Sequence, residues 1–326
     1  MSSATTIAEA IRQRQSFILT SHARPDGDAV GSQLALAFAL DHLGKTVRLV
    51  DRDPAPQPYR TFPGVDRIEV APSVEGPADA VVFLECSDET RPEVAGVDRY
   101  TMINIDHHLG NTMYGAINWF DPTAAACGEM VAEVIDALGV PWTQGIAAHL
   151  YLAISTDTGG FRFGPITGRT FEICRRIADT GLDLPTLSRQ IFDSYSLGRV
   201  RLMGALLGSM ELHCDNRLAV LAYDDALLDA HGASYDDTEG LVNVPLGARE
   251  IVAVVLFKVQ DGSLRLSLRS KGTVDVRTVA MRWQGGGHRN AAGCTIEGSL
   301  AETKAALIDA MAEAIDAASD GAPVPA

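Results

Sequence analysis

The sequence predicts an α/β protein: a mainly parallel sheet flanked by helices, then a smaller α/β domain with a mixed sheet, with the active-site cleft between the two. Three observations carry that expectation. Up to about residue 190, short apolar runs alternate with helical patterns whose apolar residues recur at three- and four-residue steps. Beyond about residue 200 the texture becomes strand-rich, with a tight turn joining two runs. The length, 326 residues, is enough for two cores.

The elements follow in order. An amphipathic helix carrying Glu9, Arg12 and Arg14 opens the chain, in place of a signal peptide. Segments 17–21, 46–50, 80–85 and 100–105 read as strands, and 29–43, 127–138 and 144–155 as helices. Helices run together over 170–210, broken at Leu182-Asp183-Leu184-Pro185, with 193–201 as a connection. Strands are expected at 218–223, 250–259 and 263–269, the last two joined by a hairpin turn at Gln260-Asp261-Gly262. Helices at 276–283 and 300–318 follow. The expected limits are a catalytic domain over 1–190, a helical linker over 191–205, a substrate-binding domain over 206–320 and a frayed tail over 321–326.

Composition narrows the function. Apolar residues make up 46% and charged residues 21%, as in ordinary globular proteins. A net charge of −15 argues against a broad basic surface gripping long nucleic acid, yet leaves room for a small nucleotide in a local basic pocket. The five cysteines are scattered and form no CxxC pair, so they read as reduced thiols of a cytoplasmic protein. No apolar run is long enough to span a bilayer.

The chemistry concentrates at element ends. In Ser21-His22-Ala23-Arg24-Pro25-Asp26-Gly27-Asp28 a histidine and two aspartates stand where a strand hands over to a helix, and the carboxyl ends of parallel strands are where ligands bind. Helix capping would need one aspartate, not two and a histidine. The apolar strand 81–84 ends in Glu85, and 102–105 ends in Asp106-His107-His108. Asp157 stands just before Gly159 and Gly160. If these ends meet at one sheet edge, His22, Asp26, Asp28, Glu85, His107 and Asp157 converge as an N/O ligand set for divalent metals. Four carboxylates in one cleft repel one another, and two divalent cations offset them; a dinuclear centre suits phosphoryl transfer. Asp106 is expected to orient a histidine rather than to ligate. His108 and Arg91 are candidates for substrate phosphate, although Arg91 has Glu89 and Glu93 within reach. Asp88 is a fallback for Glu85. The remaining histidines, His42, His149, His213 and His231, have no such context.

Taken together, the His22/Asp26/Asp28 run, Asp106-His107-His108, Asp157-Thr158-Gly159-Gly160-Phe161 and the late Gly285-Gly286-Gly287-His288-x-x-Ala291-Ala292-Gly293 resemble the DHH phosphoesterase family over essentially the whole chain. The resemblance is to its nanoRNase / pAp-phosphatase branch, with a DHH-associated C-terminal domain. It implies a hydrolase with two divalent metals, most often Mn2+, that cleaves short oligoribonucleotides to mononucleotides and converts 3′,5′-bisphosphorylated adenosine to AMP. It also implies a homodimer. His22, Asp26, Asp28, Glu85, His107 and Asp157 match the metal ligands; His108, Asp106 and Asp28 are the residues expected to carry catalysis. Arg269, Ser270, Gly285, Gly286, Gly287 and His288 match the part that holds the substrate's far end. Glu85 departs from the aspartate usual in the family, a change expected to touch metal spacing more than reaction class. Alternatives are a linear or cyclic dinucleotide phosphodiesterase and, outside enzymes, a nucleotide-binding protein that has lost catalysis.

Overall fold

The computed structural model describes residues 3–260 and 262–320, so the expected frayed tail and Asp261 of the hairpin turn lie outside the described residues. The chain divides into two compact units, 1–194 and 195–326.

The first unit runs α1 (Ala4–Arg12), β1 (Ser16–Thr20), α2 (Gly27–His42), β2 (Thr46–Asp51), β3 (Ile68–Val70), β4 (Ala80–Leu84), β5 (Thr101–Asp106), β6 (Ile117–Phe120), α3 (Cys127–Leu138), α4 (Gln144–Asp157), α5 (Gly168–Asp179) and α6 (Leu184–Phe192). Its six strands pair in parallel in the order β3-β2-β1-β4-β5-β6. The chain builds outward from β1 on one side, then returns to β1's other side with β4. The order reverses between β1 and β4, and open parallel sheets bind ligands beyond the strand ends at such a reversal.

Strand alternation sends Phe17, Leu19, Val82, Leu84, Ile103 and Ile105 to one face, where they pack on α1 to α4. Ile18, Val50, Val81 and Phe83 point to the other face, which is closed by Cys86, Val94 and Val97 from the β4–β5 connection rather than by helices. Helices α2 and α4 are buried nearly all round, which explains why both are apolar or small on every side. Their approach depends on missing side chains. A Cβ on Gly31 would stand 2.5 Å from the His149 carbonyl oxygen, and one on Gly27 2.3 Å from Thr156 Oγ1. That closeness brings the end of α4, with Asp157, against the start of α2, with Asp28.

The second unit runs α7 (Leu197–Gly208), β7 (Glu211–His213), β8 (Leu218–Tyr223), α8 (Asp225–His231), β9 (Ala253–Gln260), β10 (Ser263–Ser270), α9 (Val276–Met281), β11 (Gly286–His288), β12 (Ala291–Glu297) and α10 (Leu300–Asp320). The sheet order is β11-β12-β10-β9-β8-β7, with β8 and β9 parallel and the other pairs antiparallel. The sequence expectations differ here at several points, the strands β7 and β12 among them. Helix α7, read in part as a connection, packs Leu202 and Leu206 into the core of this unit. The glycine-rich segment, read as a loop, forms the edge strand β11 against β12, a strand the sequence did not announce. Among the described residues no helix is long and apolar enough to cross a membrane.

Candidate metal centre

The centre is assembled from five element ends of the first unit. His22 follows β1, Asp26 caps α2 and Asp28 lies in its first turn; Glu85 follows β4; Asp106 ends β5, with His107 and His108 next; Asp157 ends α4. Two acid–imidazole groups result. Glu85, His107 and His108 each offer a donor atom within 4.8 Å of the others, and so do Asp28, His107 and Asp157. His107 belongs to both, with Nε2 3.2 Å from Glu85 Oε1, 3.6 Å from Asp157 Oδ2 and 3.8 Å from Asp28 Oδ2.

The chain holds these groups through its backbone. Asp28 is buried, and its carboxylate accepts the amides of Cys127 (2.6 Å) and Gly128 (3.0 Å) at the start of α3 as well as the Ser32 hydroxyl (2.8 Å). A Cβ on Gly128 would come within 2.5 Å of Ala153 Cβ, so glycine there is what lets α3 and α4 close around Asp28. His107 Nδ1 lies 3.0 Å from the Ala124 carbonyl. A carbonyl only accepts, so Nδ1 carries the hydrogen in either protonation state, and it is the neutral ring whose Nε2, facing the acids, presents its lone pair to a cation. His108 Nδ1 is 2.9 Å from Asp106 Oδ1, and Asp106 Oδ2 accepts from Asn111 Nδ2 at 2.6 Å. Asp106 therefore orients His108 and stands behind the donor set, as expected for an outer partner.

His22 and Asp26 flank the two groups rather than belong to either. His22 Nε2 is 3.8 Å from Asp26 Oδ2 while Nδ1 contacts the Ala23 carbonyl at 3.0 Å. Asp26 is exposed, with one carboxylate oxygen spent on the Ala29 amide at 2.9 Å. Both still face the centre: the His22 charge lowers the pKa of Glu85, and the Asp26 charge raises those of Asp28 and Asp157.

The electrostatics mark a site short of positive charge. Burial, then the Glu85 and Asp157 charges, push Asp28 well above the carboxylate range. Burial and Glu85 push Asp157 to about 7. Burial works on Glu85 in the same direction, but His107 and His108 hold it below its ordinary value. Both imidazoles are raised by these acids against the opposing effect of burial. Glu85 Oε2 is buried without a hydrogen-bond partner among the described residues. Such an atom beside three further carboxylates and an imidazole lone pair fits divalent cations. Glu85 itself sits at φ 64°, in the left-handed region, directly at the strand end. Asp88, its fallback, instead accepts from the Thr90 amide at 2.9 Å in a local turn and is not in either group.

Other expected residues lie further out. Arg91 is exposed and forms no ion pair with Glu89 or Glu93; Glu93 pairs with Arg24 at 3.9 Å. The Arg91 carbonyl accepts the Ala23 amide at 2.7 Å, so its backbone steadies the His22 turn. In the second unit, the Ser270 hydroxyl is taken up by the Val274 carbonyl (2.7 Å) and Asn290 (2.8 Å). Gly285 and Gly287 serve packing: a Cβ on either would fall within 2.4 Å of backbone oxygen of the β12 hairpin. Gly286 is exposed with open space around it, and Arg269 is half-buried with no carboxylate partner among the described residues, its Nη1 donating to the Leu268 carbonyl at 3.0 Å. His149, buried and stacked on Phe38, donates from Nε2 to the Pro63 carbonyl at 2.8 Å and is structural.

Three contributors had escaped sequence reasoning. Asn111 positions Asp106. Asp51, buried at the end of β2, accepts the Ser21 amide at 3.0 Å, and Asp53 accepts the Arg24 amide at 2.8 Å, so the pair holds the His22 turn from both sides. Asp51 carried the same signal as Glu85, an acid closing an apolar strand.

Two family models match, the DHH family N-terminal domain over residues 16–154 and the DHHA1 domain over 218–317. The chain is 35% identical over 296 residues to the bifunctional oligoribonuclease and PAP phosphatase NrnA of Thermus thermophilus, covering 90% of this chain and 88% of that one. It is 28% identical to the protein of the same name from Bacillus subtilis, over 90% and 93% of the two chains. The crystal structure of an exopolyphosphatase-related protein from Bacteroides fragilis superposes with a TM-score of 0.87 at 26% identity, covering 95% of each chain. The chain therefore belongs to the DHH family, with a DHH domain followed by a DHHA1 domain.

Proposed function

We propose that this protein is a phosphoester hydrolase that releases mononucleotides from short oligoribonucleotides and converts 3′,5′-bisphosphorylated adenosine to AMP, with two divalent metals held by His22, Asp26, Asp28, Glu85, His107 and Asp157. The observation that carries this is the pair of acid–imidazole groups sharing His107. The names of the relatives from Thermus thermophilus and Bacillus subtilis support the substrate class.

When bound, two divalent cations supply Lewis-acid activation of water and neutralise the phosphate. The chain's own residues do the rest. Asp28, fixed by two amides and a hydroxyl, holds its oxygens in place without reorganisation. His107 is locked in the tautomer whose Nε2 accepts. Glu85 reaches both imidazoles through Oε1, at 3.2 Å from His107 and 3.4 Å from His108, and would be a metal ligand there in place of the family's usual aspartate. His108, anchored at Nδ1 by Asp106, is the donor to a phosphoryl oxygen. In the second unit Arg269, Gly286 and His288 are the nucleotide contacts, and Arg91 is a candidate for phosphate in the first. Manganese is the metal of choice, the free cysteines agree with a reducing cytoplasmic setting, and a homodimer is the assembly state.

A panel of bisphosphorylated adenosine, di- to pentaribonucleotides, linear and cyclic dinucleotides and pyrophosphate, each with manganese, tests the reading. Release of mononucleotide from the shortest RNAs and of phosphate from the bisphosphate is the expected result. Metal-independent nucleotide binding without turnover would replace the enzyme by a binding protein.

A further inference from the structure

The segment after Asp157 contains an aromatic and an arginine that the metal centre does not use. Thr158 is buried and gathers this segment tightly: its hydroxyl receives the Phe161 amide (3.0 Å), and its carbonyl receives the amides of Arg162 (2.8 Å) and Phe163 (3.0 Å). Gly159, Gly160 and Phe161 all adopt positive φ, and Phe161 is clamped by stacking on Phe171 at 5.7 Å. A loop so determined has little freedom, yet it leaves Phe163 47% exposed. The Phe163 ring rests on Gly159, where a Cβ would come within 2.6 Å of Cδ2, so a side chain there would dislodge it. The Arg162 guanidinium stands 5.4 Å from the ring centroid. Its Nε is tied to the Gly159 carbonyl at 2.6 Å, and it has no acid partner among the described residues, in a chain with a net charge of −15.

An exposed ring and an unneutralised guanidinium, both packed on Gly159 two residues beyond a proposed metal ligand, match what a nucleotide offers: a flat base beside a phosphate. We propose that Phe163 and Arg162 form a stacking platform for the base of the nucleotide whose phosphate lies at the metal centre. This rests on the hydrolase reading above. Because every base has a π-face, the platform favours nucleotides over other phosphoesters without selecting among A, C, G and U.

Kinetics with manganese on a ribodinucleotide and on its abasic analogue test the platform. Phe163→Ala is expected to raise KM for the ribodinucleotide about tenfold with kcat little changed, the size of one lost base stack. The preference for the ribodinucleotide over the abasic analogue falls by the same factor, and Phe163→Trp restores it. Equal losses on both substrates would reduce Phe163 to a structural residue and overturn the proposal. So would an unchanged KM accompanied by dissociation in sedimentation, which would make the ring a contact between copies of the chain. If the wild type hydrolyses neither substrate, the hydrolase reading fails instead. Calorimetry with adenosine 5′-monophosphate then decides the platform: weaker binding by Phe163→Ala upholds it and equal binding refutes it.

Discussion

The sheet edge of the first unit and the glycine hairpin of the second both looked like binding segments, and they are built on opposite plans. At the sheet edge, small residues serve to bring acids together: Gly27, Gly31 and Gly128 remove the side chains that would keep α2, α3 and α4 apart, and the acids are then held by backbone amides. In the hairpin, Gly285 and Gly287 serve to bring strands together, and the Ser270 hydroxyl is consumed inside the same fold. The same residue type accompanies a cluster of acids and imidazoles in one unit and a packing requirement in the other. What separates the two is where the neighbouring polar groups go: toward each other at the centre, into local hydrogen bonds in the hairpin.

The largest effect expected from this contrast is at Asp28. Asp28→Asn removes a charge while keeping the shape that the Cys127 and Gly128 amides surround, and should lower turnover of the best substrate by more than about 100-fold, beyond the range typical of outer partners. Wild-type turnover in that variant would contradict the placement of the centre.

One step out, Asn111→Ala leaves Asp106 without its 2.6 Å partner, so His108 loses its fixed orientation. A fall in kcat of about 10-fold or more, with metal affinity retained, is the expected outcome. A loss of metal binding equal to that in Asp28→Asn would mean that Asp106 ligates directly.

In the hairpin unit the contrast predicts a split. Arg269→Ala should raise KM for oligoribonucleotide, because its guanidinium has no acid partner to satisfy. Ser270→Ala should leave KM alone and cost about 1–2 kcal/mol of stability from the broken buried network, read by denaturant unfolding. The reverse assignment would make Ser270 the contact and Arg269 the structural group.

A smaller, graded effect follows from the charges. Asp157 at about 7 and Asp51 at about 6 have folded pKa values above the unfolded carboxylate value, so the folded state holds protons that the unfolded state has already lost. The stability of the metal-free protein therefore falls as pH rises through that window. His107 and His108, also raised, add stability that is present at low pH and lost as pH climbs above the ordinary histidine value. Glu85, held low, contributes a constant amount above the ordinary glutamate pKa. Among the described residues only His149, pushed down to about 4 by burial, opposes them, adding stability up to the ordinary histidine value. The raised groups outnumber it, so with metal chelated Tm should decrease from pH 5 to pH 8, and added divalent cation should raise Tm more at pH 8 than at pH 5. A Tm that rises with pH in chelator would remove the charge-crowding account.

Much of this was legible in the residues, for identifiable reasons. Strands such as Ala80–Leu84 are buried on both faces, so they stand out as unbroken apolar runs, and the acids and histidines that close them are visible by contrast. What stayed hidden was carried by backbone, by short edge strands, or by the strand Ala291–Glu297, whose Ala-Ala-Gly start carries little strand signal. The amides of Cys127 and Gly128 and the carbonyl of Ala124 position Asp28 and His107, but a backbone group leaves no trace in residue type. The strands Ile68–Val70, Glu211–His213 and Gly286–His288 are three residues each, too short for a period to show. The hairpin glycines misled because glycine signals close approach without saying what approaches.

The central claim is that two divalent cations are held at this one sheet edge, where His107 would give its Nε2 lone pair to one of them. Manganese titration of the metal-free protein, followed by electron paramagnetic resonance, tests it directly. Two ions per chain with spin coupling between them, falling to one uncoupled ion in Asp28→Asn, is the result expected of a dinuclear centre. Two uncoupled ions, or a single ion per wild-type chain, would contradict it.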